Sequence, residues 1–269
     1  MGKINKLLKG IKMLVQQPAL INEIIDAEDF HKKEVIQKYG LKNGLSEISF
    51  FDLLNDKKVT INNFAFLDGG SLPTDLSLIQ LIAKKINAKN YFEIGTWRGE
   101  SVTAARQVVD NCITFNLSKK QMLERNWNEK YIDLHGYFSK QDSSIIHLEG
   151  DSRNYDFKDY YNKQDLVFVD GDHHFDSVVN DTKIAFNLIK KETGAIIWHD
   201  YAHTPEDVRW NVLNAILQGA PKEYKDKLVA ISNTMCSAFL PFDLPRHERV
   251  FPKTPNQFFT VEISSNKRS

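Results

Sequence analysis

From about Tyr91 onward the chain alternates short apolar runs with longer segments of helical periodicity, and this rhythm constrains the fold more than any other feature. Tyr91–Ile94, Cys112–Leu117, Ile145–Leu148, Leu166–Val169 and Ala195–Trp198 are runs of strand length. Between them Ser101–Val109 reads as a helix, as does the stretch that sets Phe175, Val178, Ile184, Ala185 and Leu188 on one side. A further helix is predicted around Val208–Leu217. Leu228–Ser232 and Phe258–Ile263 read as closing strands, joined by a segment (241–256) rich in proline and charge. Strands that alternate with helices cannot pair as simple hairpins. They predict an α/β fold with a seven-stranded, mostly parallel sheet and helices on both faces.

The first 66 residues lack this rhythm and are read as an N-terminal helical cap or extension (1–66) ahead of the main domain (67–269). Ile4, Leu7, Leu8, Ile11, Leu14 and Val15 fall at helical spacing, with Lys3, Lys6, Lys9 and Lys12 opposite. Such a helix suits docking on the body or on a second copy, which makes a homodimer an expectation; a membrane surface is the alternative. Asp68-Gly69-Gly70-Ser71 is a turn, and Thr74 or Asp75 is expected to cap a helix carrying Leu76, Leu78, Ile79, Leu81 and Ile82.

Charge narrows the partners. Lys plus Arg equals Asp plus Glu at 35 each, so the basic excess expected of a nucleic-acid binder is missing. No apolar run reaches the length of about 18 residues that a membrane span needs, and lysines interrupt any signal-peptide core. Lys6 occupies the place where myristoylation at Met1-Gly2 wants Ser or Thr. Cys112 and Cys236 lie in apolar surroundings and form no paired motif, which points to reduced thiols and to the cytoplasm.

In a parallel sheet, ligands bind beyond the carboxyl ends of the strands. The run Phe92-Glu93-Ile94-Gly95-Thr96-Trp97-Arg98-Gly99 joins a strand to a helix there. It is not a dinucleotide loop, because Trp97 occupies the position of the second glycine. Glu93 would repel a pyrophosphate but could pair with an ammonium, which favours a ligand like S-adenosylmethionine over NAD. Two later strands end in polar clusters, Asp170-Gly171-Asp172-His173-His174 and His199-Asp200-Tyr201, and these ends are expected to face the same edge as Gly95. Asp172 reads as a helix N-cap, His174 as a surface residue of the first helical turn, and His199 as a residue that orients its loop.

The segments FEIGTWRGES, HLEGDSRNYDF, DLVFVDGDHHFDSVVNDTKIAF and AIIWHDY, in that order, resemble the class I S-adenosylmethionine-dependent methyltransferases. The branch they resemble is the bacterial methyltransferase family 24, related to macrolide-sugar and catechol-type O-methyltransferases. The resemblance covers about residues 68–263 and implies a Rossmann-like fold. It implies that Glu93, Gly95, Thr96, Gly99 and Ser101 surround the cofactor, with Asp151 and Ser152 at the adenine. Asn116 stands where the family carries an acid for the ribose hydroxyls. Asp170 falls near the methyl-donor end, with His173 as candidate general base. Asp170 and Asp200 match the positions of a Mg2+ site, although His199 replaces an acid there. The resemblance implies O-methylation of a small molecule or sugar; N-methylation of an amino sugar and a non-catalytic cofactor-binding protein are the alternatives. Trp97, Tyr201 and Trp210 are candidates to line the acceptor pocket.

Overall fold

The computed structural model describes residues 3–54 and 58–265; Met1 and Gly2, on which the myristoylation reading bears, lie outside them. The helices are α1 (Lys3–Gln16), α2 (Leu20–Ile25), α3 (Glu28–Tyr39), α4 (Phe50–Leu54), α5 (Pro73–Lys85), α6 (Glu100–Arg106), α7 (Lys119–Glu124), α8 (Glu129–Ile132), α9 (Phe175–Leu188) and α10 (Trp210–Gly219). The strands are β1 (Glu47–Ile48), β2 (Asn90–Ile94), β3 (Asn111–Asn116), β4 (Ile145–Glu149), β5 (Leu166–Val169), β6 (Ala195–Trp198), β7 (Ala202–Thr204), β8 (Asp207–Val208), β9 (Leu228–Ile231), β10 (Ser237–Phe239) and β11 (Arg246–His247). Among the described residues the main sheet has nine strands, in the order β11-β1-β9-β10-β6-β5-β2-β3-β4. The run from β6 to β4 is wholly parallel. The sheet is therefore the mixed, mostly parallel, Rossmann-like sheet expected, with two more strands than expected.

Its strands are apolar on both sides because both faces are covered. Phe92, Val167, Val169, Ile196 and Trp198 belong to one core, which they share with α3, α9 and α10. Their neighbours Tyr91, Leu166, Phe168, Ala195 and Ile197 belong to the other, with α4, α5 and α6. Successive residues of a strand point to opposite faces, so each strand feeds both cores.

Three expectations are corrected. Phe258–Ile263 forms no strand: Phe258, Val261 and Ile263 stay exposed, while Phe259 stacks on Phe51 at 4.7 Å. Alternation alone makes no strand without a free edge, and β10 occupies the place between β9 and β6, antiparallel to both. The segment 241–256 holds β11, which pairs with β1. Leu72, not Thr74 or Asp75, is the N-cap of α5; Asp75 caps from the third helical position, its Oδ2 accepting from the Leu72 N–H at 2.6 Å.

Residues 26–39 join the helices beside the strand ends. Asp26 accepts the Phe175 N–H at 2.9 Å and Glu28 the Trp210 N–H at 2.5 Å, so two acids from the extension satisfy the first turns of α9 and α10. His31 stacks on Phe175 at 4.7 Å, and α3 packs on α10.

Candidate functional site

Five strand ends form one continuous row. Gly150 N–H donates to Asn116 O at 2.8 Å, Gly95 N–H to Phe115 O at 2.9 Å, Asp170 N–H to Ile94 O at 2.8 Å, and His199 N–H to Val169 O at 3.0 Å. Each bond carries the sheet ladder one step past its strand. Strand order reverses at β2, whose neighbours are β3 and β5, so Gly95 sits at the switch point.

The two glycines of the loop are required by protein contacts. Gly95 has φ +98°, and a Cβ there would collide with the backbone carbonyl of Asp170 and stand 2.6 Å from Gly171 Cα. Gly99 has φ +83° and lies against Ser139. Their absent side chains thus hold the turn against β5 and against the excursion between β3 and β4.

Glu93 is fully buried, and its parity on β2 turns it toward α5 and α6 instead of above the row. Its carboxyl accepts from Tyr91 Oη at 2.8 Å and Thr114 Oγ1 at 3.0 Å, with Ser101 as a further partner. Burial, reinforced by the Asp170 charge, pushes it up to about 7 against these hydrogen bonds. Thr96 Oγ1 bonds Thr114 Oγ1, and Asn116 Nδ2 donates to Thr96 O at 3.1 Å. Thr96 and Asn116 open onto a cleft whose lining includes Lys119, His135, Lys140 and Glu149. Asp151 is held by Arg125 at 2.8 Å, and Ser152 accepts from Asn180 Nδ2 at 3.2 Å.

The polar clusters after β5 and β6 converge. His199 Nδ1 lies 3.1 Å from Asp170 Oδ1 and 3.4 Å from Asp200 Oδ2; His173 Nδ1 lies 3.2 Å from the same Asp200 oxygen. Burial alone would lower His199, but Asp170 and Asp200 hold its imidazole well above the usual range. Burial would likewise raise Asp200, yet the imidazoles of His173 and His199 beside it keep it well below the usual carboxylate range. Asp170 is raised, chiefly by burial. The bond to Asp200 raises His173. His173 is half exposed, whereas His199 is buried. Asp200 adopts φ +56°, which turns its carboxylate back toward His173.

Other residues land elsewhere. Asp172 is not the N-cap of α9; His174 is, and Asp172 accepts from the His174 N–H at 3.2 Å and from Ser177 Oγ at 2.8 Å. His174 is half exposed, as expected of a residue at the start of a helix. Trp97 stacks on Tyr131 at 4.2 Å, and Tyr201 is buried with its hydroxyl accepting the Leu45 N–H at 3.0 Å. Trp210 lies under the Lys32 ammonium, 5.1 Å from its ring centre. Asp75 was missed. Fully buried on α5, its Oδ2 stands 3.2 Å from His199 Nε2, while its Oδ1 accepts the Met235 N–H at 2.9 Å. Its helix-capping position was the only signal it carried in the sequence. The buried pair Arg98–Glu100 was missed too; Arg98 grips the carbonyls of Leu67 and Asp68 and ties the entry to α5 onto the glycine turn.

Residues 92–201 match the family described as Methyltransferase domain, Methyltransf_24. No curated protein sequence matches the chain. Among solved structures, the YcgJ protein of Bacillus subtilis is 16% identical, with 45% of this chain and 48% of that one covered at a TM-score of 0.34; the chain thus spans about half of YcgJ. The S-adenosylhomocysteine-bound methyltransferase PaMTH1 of Podospora anserina is 18% identical, with 79% and 95% covered and a TM-score of 0.44. The O-methyltransferase of Bacillus cereus in complex with S-adenosylhomocysteine is 15% identical, with 81% and 99% covered and a TM-score of 0.42. The matched segment, residues 92–201, contains the glycine turn, Asn116, Asp151 and the Asp170–Asp200 cluster, and it is this segment that is similar to the methyltransferase-domain family.

Proposed function

We propose that this chain transfers the methyl group of S-adenosylmethionine to a hydroxyl of a small molecule, such as a sugar, in the manner of macrolide-sugar and catechol O-methyltransferases. The convergence of Asp170, His173, His199 and Asp200 beside the glycine turn carries this reading. Thr96, Asn116, Asp151 and Ser152 line or flank the row of strand ends and would hold the cofactor, while Gly95 and Gly99 shape the turn and Glu93 and Ser101 brace it from beneath. Bound there, the cofactor supplies an activated methyl group; the protein's tasks are to align the acceptor and remove its proton.

His173 is the candidate base. Its Nδ1 faces Asp200 at 3.2 Å, which leaves Nε2 as the acceptor for a hydroxyl proton, and Asp200 would then stabilise the imidazolium. His173 is exposed enough to meet an acceptor. Asp170, His199 and Asp200 present three donor atoms within 4.8 Å of one another. His199 Nδ1 is buried and, despite two nearby carboxylate oxygens, has no aligned hydrogen-bond partner. That arrangement fits a divalent cation shared by the three side chains, with Asp75 fixing the imidazole through Nε2. Mg2+ at this position would lower the pKa of a coordinated hydroxyl. Of the N-terminal residues, β1 and α4 belong to the main sheet and its core, while Asp26, Glu28 and His31 set α9 and α10 from the helical part before them. The free, buried Cys112 and Cys236 suit a reducing cytoplasm.

The test is calorimetry with S-adenosylmethionine, S-adenosylhomocysteine and NAD, with and without Mg2+, followed by transfer of labelled methyl to a panel of sugars and phenols. Binding of the first two ligands and label in a hydroxyl ether are expected. Binding of NAD alone would refute the proposal.

A further inference from the structure

Helix α1 carries a surface that the methyltransferase reading leaves unexplained. At about 100° per residue, Ile4, Leu7, Leu8, Ile11, Leu14 and Val15 share one arc of roughly 120°. Lys3, Lys6, Lys9 and Lys12 span the rest of the circumference, with Lys3 and Lys12 at the two borders of the apolar arc. The segment contains no acidic residue. Among the described residues that apolar arc is left largely uncovered: Leu14 is partly buried, and Ile4, Leu7, Leu8, Ile11 and Val15 are exposed. None of the α1 side chains is buried, and Ile4 and Val15 are 74% and 76% exposed. The apolar exposure continues through Ile21, Ile24 and Ile25 of α2.

From this we infer that α1 is an interfacial helix that docks the enzyme on an anionic lipid surface. The apolar arc is wide enough to sink into the boundary between headgroups and acyl chains. Lysines at its borders can extend their aliphatic stems along that boundary while their ammonium groups stay among lipid phosphates. Charge decides between occupants. Pairing with α1 of a second copy would bring four lysines against four with no acid between them, which is repulsive. An anionic membrane meets the same lysines with opposite charge. The net charge of the whole chain is zero, so the attraction is local to this helix. The helix is too short to cross a bilayer, and among the described residues no helix is long and apolar enough to do so. The inference does not depend on the proposed methyl transfer.

The experiment sediments the full chain with phosphatidylcholine vesicles, with and without phosphatidylglycerol, at low and high salt. Binding is expected only with the anionic lipid and is weakened by salt. Each Lys→Gln change, as in Lys6→Gln or Lys9→Gln, is expected to weaken it about fivefold. The double change Leu7→Glu with Ile11→Glu is expected to abolish it while leaving circular dichroism of the body and its melting temperature unchanged, because α1 buries no side chain. Equal binding to neutral vesicles, absence of binding, or binding that survives the double change would overturn the inference. So would self-association lost in the double variant without any lipid binding, which would assign the face to a second copy.

Discussion

Glu93→Gln isolates the energetic consequence of a carboxyl sealed under the glycine turn. The folded state raises Glu93 from 4.5 to about 7, and at about 1.4 kcal/mol per pKa unit the rise amounts to about 3 kcal/mol. The sign follows from proton counting. Between these two values the folded chain keeps a proton that the unfolded chain has released, so stability falls as pH rises through the window. Above about 7 the folded protein carries the whole deficit. Glutamine has nearly the same shape and can accept from one of the Tyr91 and Thr114 hydroxyls while donating to the other, which can reverse its role. It carries no titrating group. Asp181, pushed up to about 6 mainly by burial, acts in the same direction but is present in both proteins and cancels in the comparison. Urea unfolding of the ligand-free wild type and variant, from about pH 4 to about pH 8, measures the difference. The variant is expected to gain about 3 kcal/mol on the wild type across that range. Parallel stability profiles for the two proteins would refute the reasoning, because they would show that the carboxyl is solvated or paired in the fold.

Gly95→Val is expected to abolish cofactor binding by driving the β2 turn away from the Asp170 carbonyl; calorimetric affinity like that of wild type in a folded variant would count against the site. His173→Ala should keep cofactor affinity and lower turnover about 10²- to 10⁴-fold, the usual contribution of a positioned base, and wild-type rates would remove its assignment. Asp26→Ala deletes the carboxylate that receives the first N–H of α9 and should cost about 1 kcal/mol in denaturant unfolding, as losing a cap does. No loss would show that solvent replaces it.

The parallel strands were legible because β2, β3, β5 and β6 are buried apolar runs punctuated by glycine or acid. The main-sheet strands of two or three residues, β1, β10 and β11, were not. Two residues have no detectable period, and such strands exist because a longer neighbour offers them an edge. Phe258–Ile263 shows the converse, since it alternates but found no edge. Within the site, Asp170, His173 and Asp200 were readable as polar strand ends that a parallel sheet must gather on one side. The direction of Glu93 was not: its place at the end of a strand suggested a partner for the ligand, whereas strand parity buried it among Tyr91, Thr114 and Ser101.

By itself the amino-acid order determined where the longer parallel strands β2 to β6 run and which chemical groups stand at their ends, because hydrophobic period and glycine placement are local properties. Tertiary structure alone decided that Asp75, 124 residues before His199, would orient its imidazole. It likewise made Gly95 a packing necessity against β5 and left the apolar side of α1 largely bare. Contacts between distant segments depend on how whole elements stack, and no local pattern in the chain encodes that.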